Sequence, residues 1–360
     1  MLGCVRFVDG AVCLCGVLDR VVRLCSSADD ARTLRLELLA EIRRAVGFDA
    51  YAWLLTDPET SVGSAPLADV PCLAELPRLI RLKYLTRVNR WTGLPPRGVA
   101  TLLAATGGDP SRSRLWRELL DGYLVVDLAS VVFRDPYGCW GFLDLWRVGG
   151  DASAFTAGEA GFLTDLVRPV TTGLRRAHAA AFTAAPCGSP PGPVVLLLSA
   201  ELSLLAQTPQ TDAYLRALVP PEGDAAPVPA GAFNVAGQLL AVEERVDRNP
   251  PLARVHLPAG QWLSLRAARI AQAPAGLQNT IAVTIEPASA PERLPLFSRA
   301  CALTLRETEL LRHLATGSDT RELARRMSLS EHTVQDHLKS IFAKTSTRSR
   351  RDLLARALGS

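Results

Sequence analysis

Apolar and polar positions along this chain follow several periods, and the changes of period outline its elements. Leu34, Leu38, Leu39, Ile42 and Val46 recur every three or four positions and stop at Gly47, which predicts a helix. Phe48 to Leu55 reads as a strand ending at Asp57-Pro58, and Leu73 to Leu85 is helical again. Leu128 to Arg134 and Cys139 to Arg147 flank Asp135-Pro136-Tyr137-Gly138, a hairpin around a Pro-containing turn. A long helix opens at Thr156-Ala157-Gly158-Glu159, with Phe162, Leu163, Leu166, Val167 and Val170 on one face. Strands between an opening and a closing helix imply an α+β unit, with helices on an antiparallel sheet.

Pro and Gly then divide the chain. Residues 184–193 (AAPCGSPPGP) read as a linker, and Pro287 to Pro295 as a second, stiff one. Three units are expected: 1–183, 194–286 and 298–360. The middle unit shows short strands at 194–198 and 203–206, helices near 211–218 and 232–245, then strands at 253–257, 261–270 and 279–286. That is a small five-stranded α+β unit. The last unit is all helix. Thr304 and Glu307 form a capping box, and Asp319 with Glu322 forms another. Ser328-Leu329-Ser330 is a tight connection, Ser330 caps a third helix running to about Lys344, and Ser349 with Asp352 starts a fourth. Two of these helices joined by a tight turn make a helix-turn-helix. The expected fold class is thus multi-domain, two α+β units followed by an all-α tetrahelical one.

Charge sharpens this division. Forty Lys and Arg against 36 Asp and Glu leave +4, too little for a chain that grips a polyanion along its whole length. Residues 301–360 hold 11 basic and 7 acidic residues, the whole of that excess, while residues 1–300 hold 29 of each sign. A polyanion-binding surface is therefore expected in the last unit. Only three basic residues are Lys (Lys83, Lys339 and Lys344), so the abundance of Arg reflects general composition rather than phosphate binding. At 360 residues, 48% apolar and 21% charged, the chain can bury two or three ordinary cores. Its eight Cys lack paired CxxC spacing and a His-rich partner segment, which argues against zinc and for reduced, buried thiols. Cys13-Leu14-Cys15 reads as two strand residues on one face rather than a redox pair. No apolar run approaches the roughly 18–20 residues of a membrane span, and Asp9 and Asp19 interrupt the N-terminal apolar stretch. A cytoplasmic protein without membrane contact is expected.

The third helix of the last unit carries the chemistry. At about 100° per residue, Val334, Leu338, Ile341 and Phe342 share one face. The opposite stripe holds His332, Asp336, Lys339 and Ala343, with Gln335 on its edge. Gln can bond adenine, Lys can bond guanine O6 and N7, and Asp can accept from cytosine N4. A bordering row of Thr333, His337, Ser340 and Lys344 suits phosphates, as do Arg348, Arg350 and Arg351 beyond the helix. Any amphipathic helix has a polar face; the capping boxes, turn spacing and localised charge favour the nucleic-acid reading here.

Residues 303–350 resemble the DNA-binding domain of the LuxR/FixJ family. The pattern stands as Leu303-Thr304-x-Arg306-Glu307-x-Glu309-x-Leu311, Gly317, Glu322-Leu323-Ala324, then Ser330-x-x-Thr333-Val334-x-x-His337-Leu338-x-x-Ile341-Phe342-x-Lys344, and Ser349-Arg350. The resemblance implies a tetrahelical domain that binds double-stranded DNA as a homodimer, its third helix in the major groove and its fourth supplying much of the dimer contact. It places base-reading positions at Gln335, Asp336 and Lys339. Two departures stand out. Gln335 occupies a position where the family often has Lys, and Thr345-Ser346-Thr347 replaces the usual Leu-Gly-Val, which predicts a looser last turn.

Upstream, residues 135–147 (DPYGCWGFLDLWR) are similar to the late hairpin of GAF-containing LuxR-type regulators, and Phe155-Thr156-x-x-Glu159 introduces a closing helix. The first unit thus resembles a GAF domain, and the second resembles a PAS-like domain. Both folds commonly hold small ligands or dimerise. Tyr51, Trp53, Trp91, Trp140 and Trp146 are candidate pocket walls, with plain core packing as the alternative. His178 and His256 read as core or surface residues rather than haem or metal ligands. No GxxxxGK[ST] loop, receiver-type acid cluster, GxSxG or HExxH stands out, and no cofactor is implied. The expectation is a non-enzymatic, one-component transcriptional regulator, with RNA polymerase and a small-molecule ligand as further candidate partners. The alternative is a transcription factor whose upstream units only dimerise or bind a protein.

Overall fold

The computed structural model describes residues 14–95, 98–183, 192–219, 227–257, 260–271 and 278–359. Two helices, α1 (Leu14–Ser27) and α2 (Ala31–Ala45), precede a strand pair, β1 (Ala50–Thr56) and β2 (Gly63–Asp69). Helix α3 (Leu76–Leu85), strand β3 (Val99–Thr101) and the short helices α4 (Leu102–Thr106) and α5 (Arg114–Glu118) follow. The hairpin β4 (Val125–Asp135) and β5 (Gly138–Val148) then leads into α6 (Ala157–Ala180). The strands form one antiparallel sheet in the order β2-β1-β5-β4-β3. β5 is buried on both faces over most of its length, as befits a central strand.

Helices α1, α2 and α6 cover one face of this sheet, where Val170 and Leu174 of α6 join Trp53, Ala129 and Leu143 in one core. A Cβ at Gly173 would stand 2.9 Å from that of Cys25, so glycine is what lets α6 lie directly against α1. Asp135 holds the hairpin turn: its Oδ1 accepts from the Tyr137 and Gly138 amides and from Trp140 Nε1, and its Oδ2 from Arg175 at 2.9 Å. Thr156 and Glu159 close a full capping box at the start of α6.

The second unit comprises β6 (Val194–Leu198), β7 (Leu204–Gln207), α7 (Thr211–Leu218), α8 (Ala230–Glu243), β8 (Leu252–His256), β9 (Trp262–Arg269) and β10 (Ile281–Pro287). Its antiparallel sheet runs β7-β6-β10-β9-β8. Helix α8 is buried on both sides, between its own sheet and the first unit: Phe233, Val235 and Leu240 share a core with Ile80, Tyr84 and Phe142. The two units are also pinned by charge. Arg254 on β8 donates from Nε and Nη2 to the two carboxylate oxygens of Asp57, at 2.7 and 2.9 Å, and from Nη2 to Glu59. Asp57 is fully buried and Arg254 nearly so. Arg90 and Thr92 together hold Asp247 at a second point.

Several expectations need correction. The stiff linker at 287–295 is a helix, α9 (Ala290–Ala300). Ser289 and Glu292 form a capping box, Pro291 sits in the first turn where no amide is needed, and Leu294, Leu296, Phe297 and Ala300 are buried. That burial outweighs Pro295 inside the helix. Leu14 and Cys15 belong to α1, not to a strand. The full capping box at Asp319 is only half made: Asp319 accepts from the Glu322 amide at 2.8 Å, but Glu322 turns to Arg326 four residues on. The helix α1 and the elements β2, β3, α4 and α5 were not anticipated; β2 carries Pro66 on an edge, and α4 and α5 have five residues each. The linker at 184–191, with Cys187, and Cys4 and Cys13 lie outside the described residues.

Four helices finish the chain: α10 (Leu305–Ala315), α11 (Thr320–Met327), α12 (Glu331–Thr345) and α13 (Arg350–Leu358). They do not hang free. Arg299 of α9 donates to the Tyr137 carbonyl at 2.7 Å, Arg293 donates to the Arg356 carbonyl of α13 at 3.3 Å, and Arg254 donates to the Glu292 carbonyl at 3.0 Å. Helix α9 therefore touches both sheet units and the final helix. One continuous apolar core runs from α1 through Phe182, Trp262 and Phe297 to Leu353 and Ala357.

Candidate nucleic-acid interface

The C-terminal helices are built by short-range rules. Thr304 and Glu307 satisfy each other's amides at the start of α10, and Gly317, at φ +88°, ends its last turn. Leu323 and Ala324 bury α11 against α12. Ser328 takes a left-handed conformation, φ 54°, between the two helices, and Ser330 caps α12 by accepting from the Thr333 amide. Val334, Leu338 and Ile341 are buried on the core face of α12.

The opposite face is open. Gln335, Asp336 and Lys339 are all exposed, adjoining turns of one stripe. Asp336 is flanked by His332 Nε2 at 3.5 Å and Lys339 Nζ at 3.3 Å. Its negative charge is therefore partly offset within the helix surface before any partner arrives. Thr333 sits beside the Ser330 hydroxyl at 2.9 Å, and His337 is half-buried. Arg348 and Arg351 are exposed, whereas Arg350 donates to the Thr320 hydroxyl.

Two of the expected edge residues are also tied back to α10. Ser340 Oγ and Lys344 Nζ both donate to the Glu307 carboxylate, each at 2.6 Å. The Glu307 side chain is 4% exposed and needs a counter-charge. Burial alone would raise its pKa, but Lys344, Ser340 and the Thr304 cap outweigh that and hold it at about 2. The carboxyl that caps α10 thus also ties α10 to α12, a link that spacing alone did not show. The Thr345-Ser346-Thr347 departure does not loosen the end of α12 either. Thr345 donates to the Ile341 carbonyl, its hydroxyl lies 2.8 Å from that of Thr347, and the Thr347 amide donates to the Phe342 carbonyl. Ser346 takes the left-handed position, φ 52°, that glycine fills more readily.

The five candidate pocket aromatics do not converge. Trp53 stacks on Phe133 in the core under α6, Trp91 stacks on Phe142 on the other face, and Trp146 packs with Leu79 and Leu128. Trp140 is buried beside His178, and Tyr51, paired on both sides, packs edge to face on Phe48. Tyr51 and Trp53 share the α6 face of β1, and a bulge in the β4–β5 pairing at Trp140 puts it on that face while Trp146, six residues on, faces the other way. Trp91 instead belongs to a buried network that sequence reasoning missed: its Nε1 and the Ser130 hydroxyl donate to Asp144 Oδ1, and Lys83 Nζ pairs with Oδ2 at 2.8 Å. All these groups are partnered internally. His178 and His256 both lie against Trp262, ring centroids 5.2 Å away, with no hydrogen-bond partner at either Nε2 among the described residues. Burial pushes both imidazoles down to about 4, so both are neutral near pH 7. Among the described residues no three His, Cys, Asp or Glu side chains gather as a metal site, and no helix is long and apolar enough to cross a membrane.

This geometry agrees with the comparisons. Residues 301–357 match the model described as bacterial regulatory proteins, luxR family. These residues are a luxR-family helix-turn-helix. The chain is also similar to the probable HTH-type transcriptional regulator GfsR of Streptomyces halstedii, 37% identical over 95 residues, or 26% of this chain. It spans 39% of the length of that relative. Among solved structures, Escherichia coli SdiA aligns over 95% of both chains at 11% identity and a TM-score of 0.35. SdiA in complex with octanoyl-rac-glycerol aligns over 98% of this chain and 96% of that one, at 13% identity and a TM-score of 0.31. At such scores neither likeness bears on the fold or the function.

Proposed function

We propose that the protein is a one-component transcriptional regulator that binds operator DNA as a homodimer, with α12 in the major groove and a small-molecule signal received upstream. The observation that carries this reading is the open stripe of Gln335, Asp336 and Lys339 on a helix whose other face is locked into a luxR-type core. Gln335 and Lys339 are the donors to base edges, and Asp336 reads a cytosine amino group. The exposed Arg348 and Arg351 contact phosphates and set register. Lys344 serves Glu307 first, so it contributes less to phosphate binding than its position in the helix suggests. The three-unit division at 1–183, 194–286 and 298–360, with GAF-like and PAS-like upstream folds, belongs to the same proposal; two antiparallel five-stranded sheets and the long closing helix support it. The shared core and the α9 contacts favour signal transmission through packed surfaces over a free tether.

Selection of the full chain against a random duplex library tests the reading. Enrichment of a sequence with two half-sites about one helical turn, roughly 10 bp, apart is the expected result. A library that stays random contradicts it.

A further inference from the structure

A cleft of about 580 Å³ lies between the two sheet units, a volume typical of small-molecule sites. Helix α2 and the β1–β2 edge form one wall, α7 and β8 the other, and α6 closes one end. The surface is largely apolar, made by Leu55, Ala65, Ala177, Ala217 and Val255. Into it projects a guanidinium that meets no carboxylate at contact distance among the described residues, with Asp30 acting on its charge from farther off. Arg35 is 2% exposed and lines the cleft. Its Nε donates to the Ala31 carbonyl at 3.1 Å, and its Nη1 to the carbonyls of Trp53 at 3.0 Å and Ala65 at 2.8 Å. Among the described residues no carboxylate lies within ion-pair distance, and Nη2 has no partner. Asp30, also on the cleft, is committed to the Thr33 amide as the cap of α2. Three carbonyls satisfy hydrogen-bonding directions, and Asp30 offsets the charge less than burial penalises it; a buried cation without a contact ion pair is expensive to keep. Arg254, on the facing wall, shows the alternative: its charge is fully met by Asp57 and Glu59.

We propose that this cleft binds a small organic carboxylate, its acid group accepting from Nη2 of Arg35 and its apolar body lying along the alanine-lined wall. A charge-assisted hydrogen bond from Nη2 to a carboxylate supplies the contact ion pair that the carbonyls do not. The cleft also borders the path to the helix-turn-helix. His178 and His256 line it and pack on Trp262. Trp262 stacks on Phe182 at 4.6 Å, and Phe182 meets Phe297 of α9 at 5.3 Å. A ligand held by both units favours one placement of β8 against α6, and α9 follows that placement. This coupling rests on the regulatory reading above; the binding itself does not.

Titration calorimetry on the full chain without DNA tests the site, with butanoate, octanoate and phenylacetate against octan-1-ol and octylamine. At least one carboxylate binds saturably, one per chain, and the alcohol and amine do not. Arg35→Gln and Ala217→Phe, which fills the cleft without touching Arg35, each weaken it by ~10-fold or more. If Arg35→Gln does not fold, Ala217→Phe alone decides. No saturable carboxylate binding, an alcohol that binds as tightly, or binding unchanged in Ala217→Phe overturns the proposal. Carboxylate binding by a chain that binds no duplex upholds the site and contradicts the regulatory reading.

Discussion

The joint between the sheet units and the C-terminal helices are built by opposite means. At the joint, Arg254 meets Asp57, a partner 197 positions away, in a setting almost without water. In the helix-turn-helix, the capping pairs Thr304–Glu307 and Ser330–Thr333 are three positions apart, at exposed or half-exposed ends. The first kind of bond is strong because it is dry and costly to break. The second kind is individually modest, about 0.5–2 kcal/mol for a cap, and dependable because it needs only its own neighbourhood. The regulation proposed above would use this division: a helix unit that forms on local instructions, and a joint whose few long-range pairs set how the units sit.

Substitutions at the joint should therefore have the larger effects. Arg254→Met leaves Asp57 buried and unpaired, and urea denaturation should show a loss of about 3–5 kcal/mol. A loss as small as that of a surface pair would break the comparison. Acid should act on the two regions in different windows. His178 and His256 are held at about 4, below the usual 6.5, so the stability of their neutral forms is complete above pH 6.5 and is lost as pH falls toward 4. Glu307 is held at about 2 against the usual 4.5, so its contribution is lost only as pH falls from 4.5 toward 2. Trp262 fluorescence should thus change at higher pH than the helicity of the C-terminal unit. Simultaneous changes would mean that the regions do not differ in this way.

Arg35→Met removes the donor to two strand carbonyls but strands no charge, and should cost about 1–3 kcal/mol, less than Arg254→Met. On the reading helix, Lys339→Ala should weaken binding to a selected duplex by about 1–3 kcal/mol without changing the urea midpoint. Asp336→Ala should bind as tightly or more tightly while tolerating more bases at one position. At the small end, Ser346→Gly relieves a left-handed serine, and should raise stability by about 0.5–1 kcal/mol in thermal melts. An unchanged or lower melting temperature would show that the Thr345–Thr347 closure, not the backbone, decides that turn.

The same contrast explains what was legible beforehand. The helices of the last unit, their caps and the outward stripe of α12 follow from spacing within a few residues, so periodicity was enough to locate them. The bonds of Lys344 and Ser340 to Glu307 were not legible, because Glu307 lies 33 to 37 positions away. The strands of the second unit were anticipated nearly residue by residue, since short apolar runs between turn residues mark them. Helix α9 was misread because Pro291 and Pro295 dominate its local pattern, while the burial of Leu296 and Phe297 that forms it comes from other units. The five aromatics misled for a related reason: composition gathered them, but a bulge at Trp140 and the place of Trp91 in a turn off the sheet distribute them over two faces. Arg35 gave no signal in an Arg-rich chain, because its importance lies in the carboxylate it lacks.

The central proposal is that α12 is the element that reads DNA. Equilibrium binding of the full chain to a selected duplex, wild type beside Lys339→Ala and Asp336→Ala, tests that directly. The prediction is weaker binding for Lys339→Ala, and relaxed discrimination at one base pair with undiminished affinity for Asp336→Ala. Both variants binding and discriminating as the wild type does would contradict it.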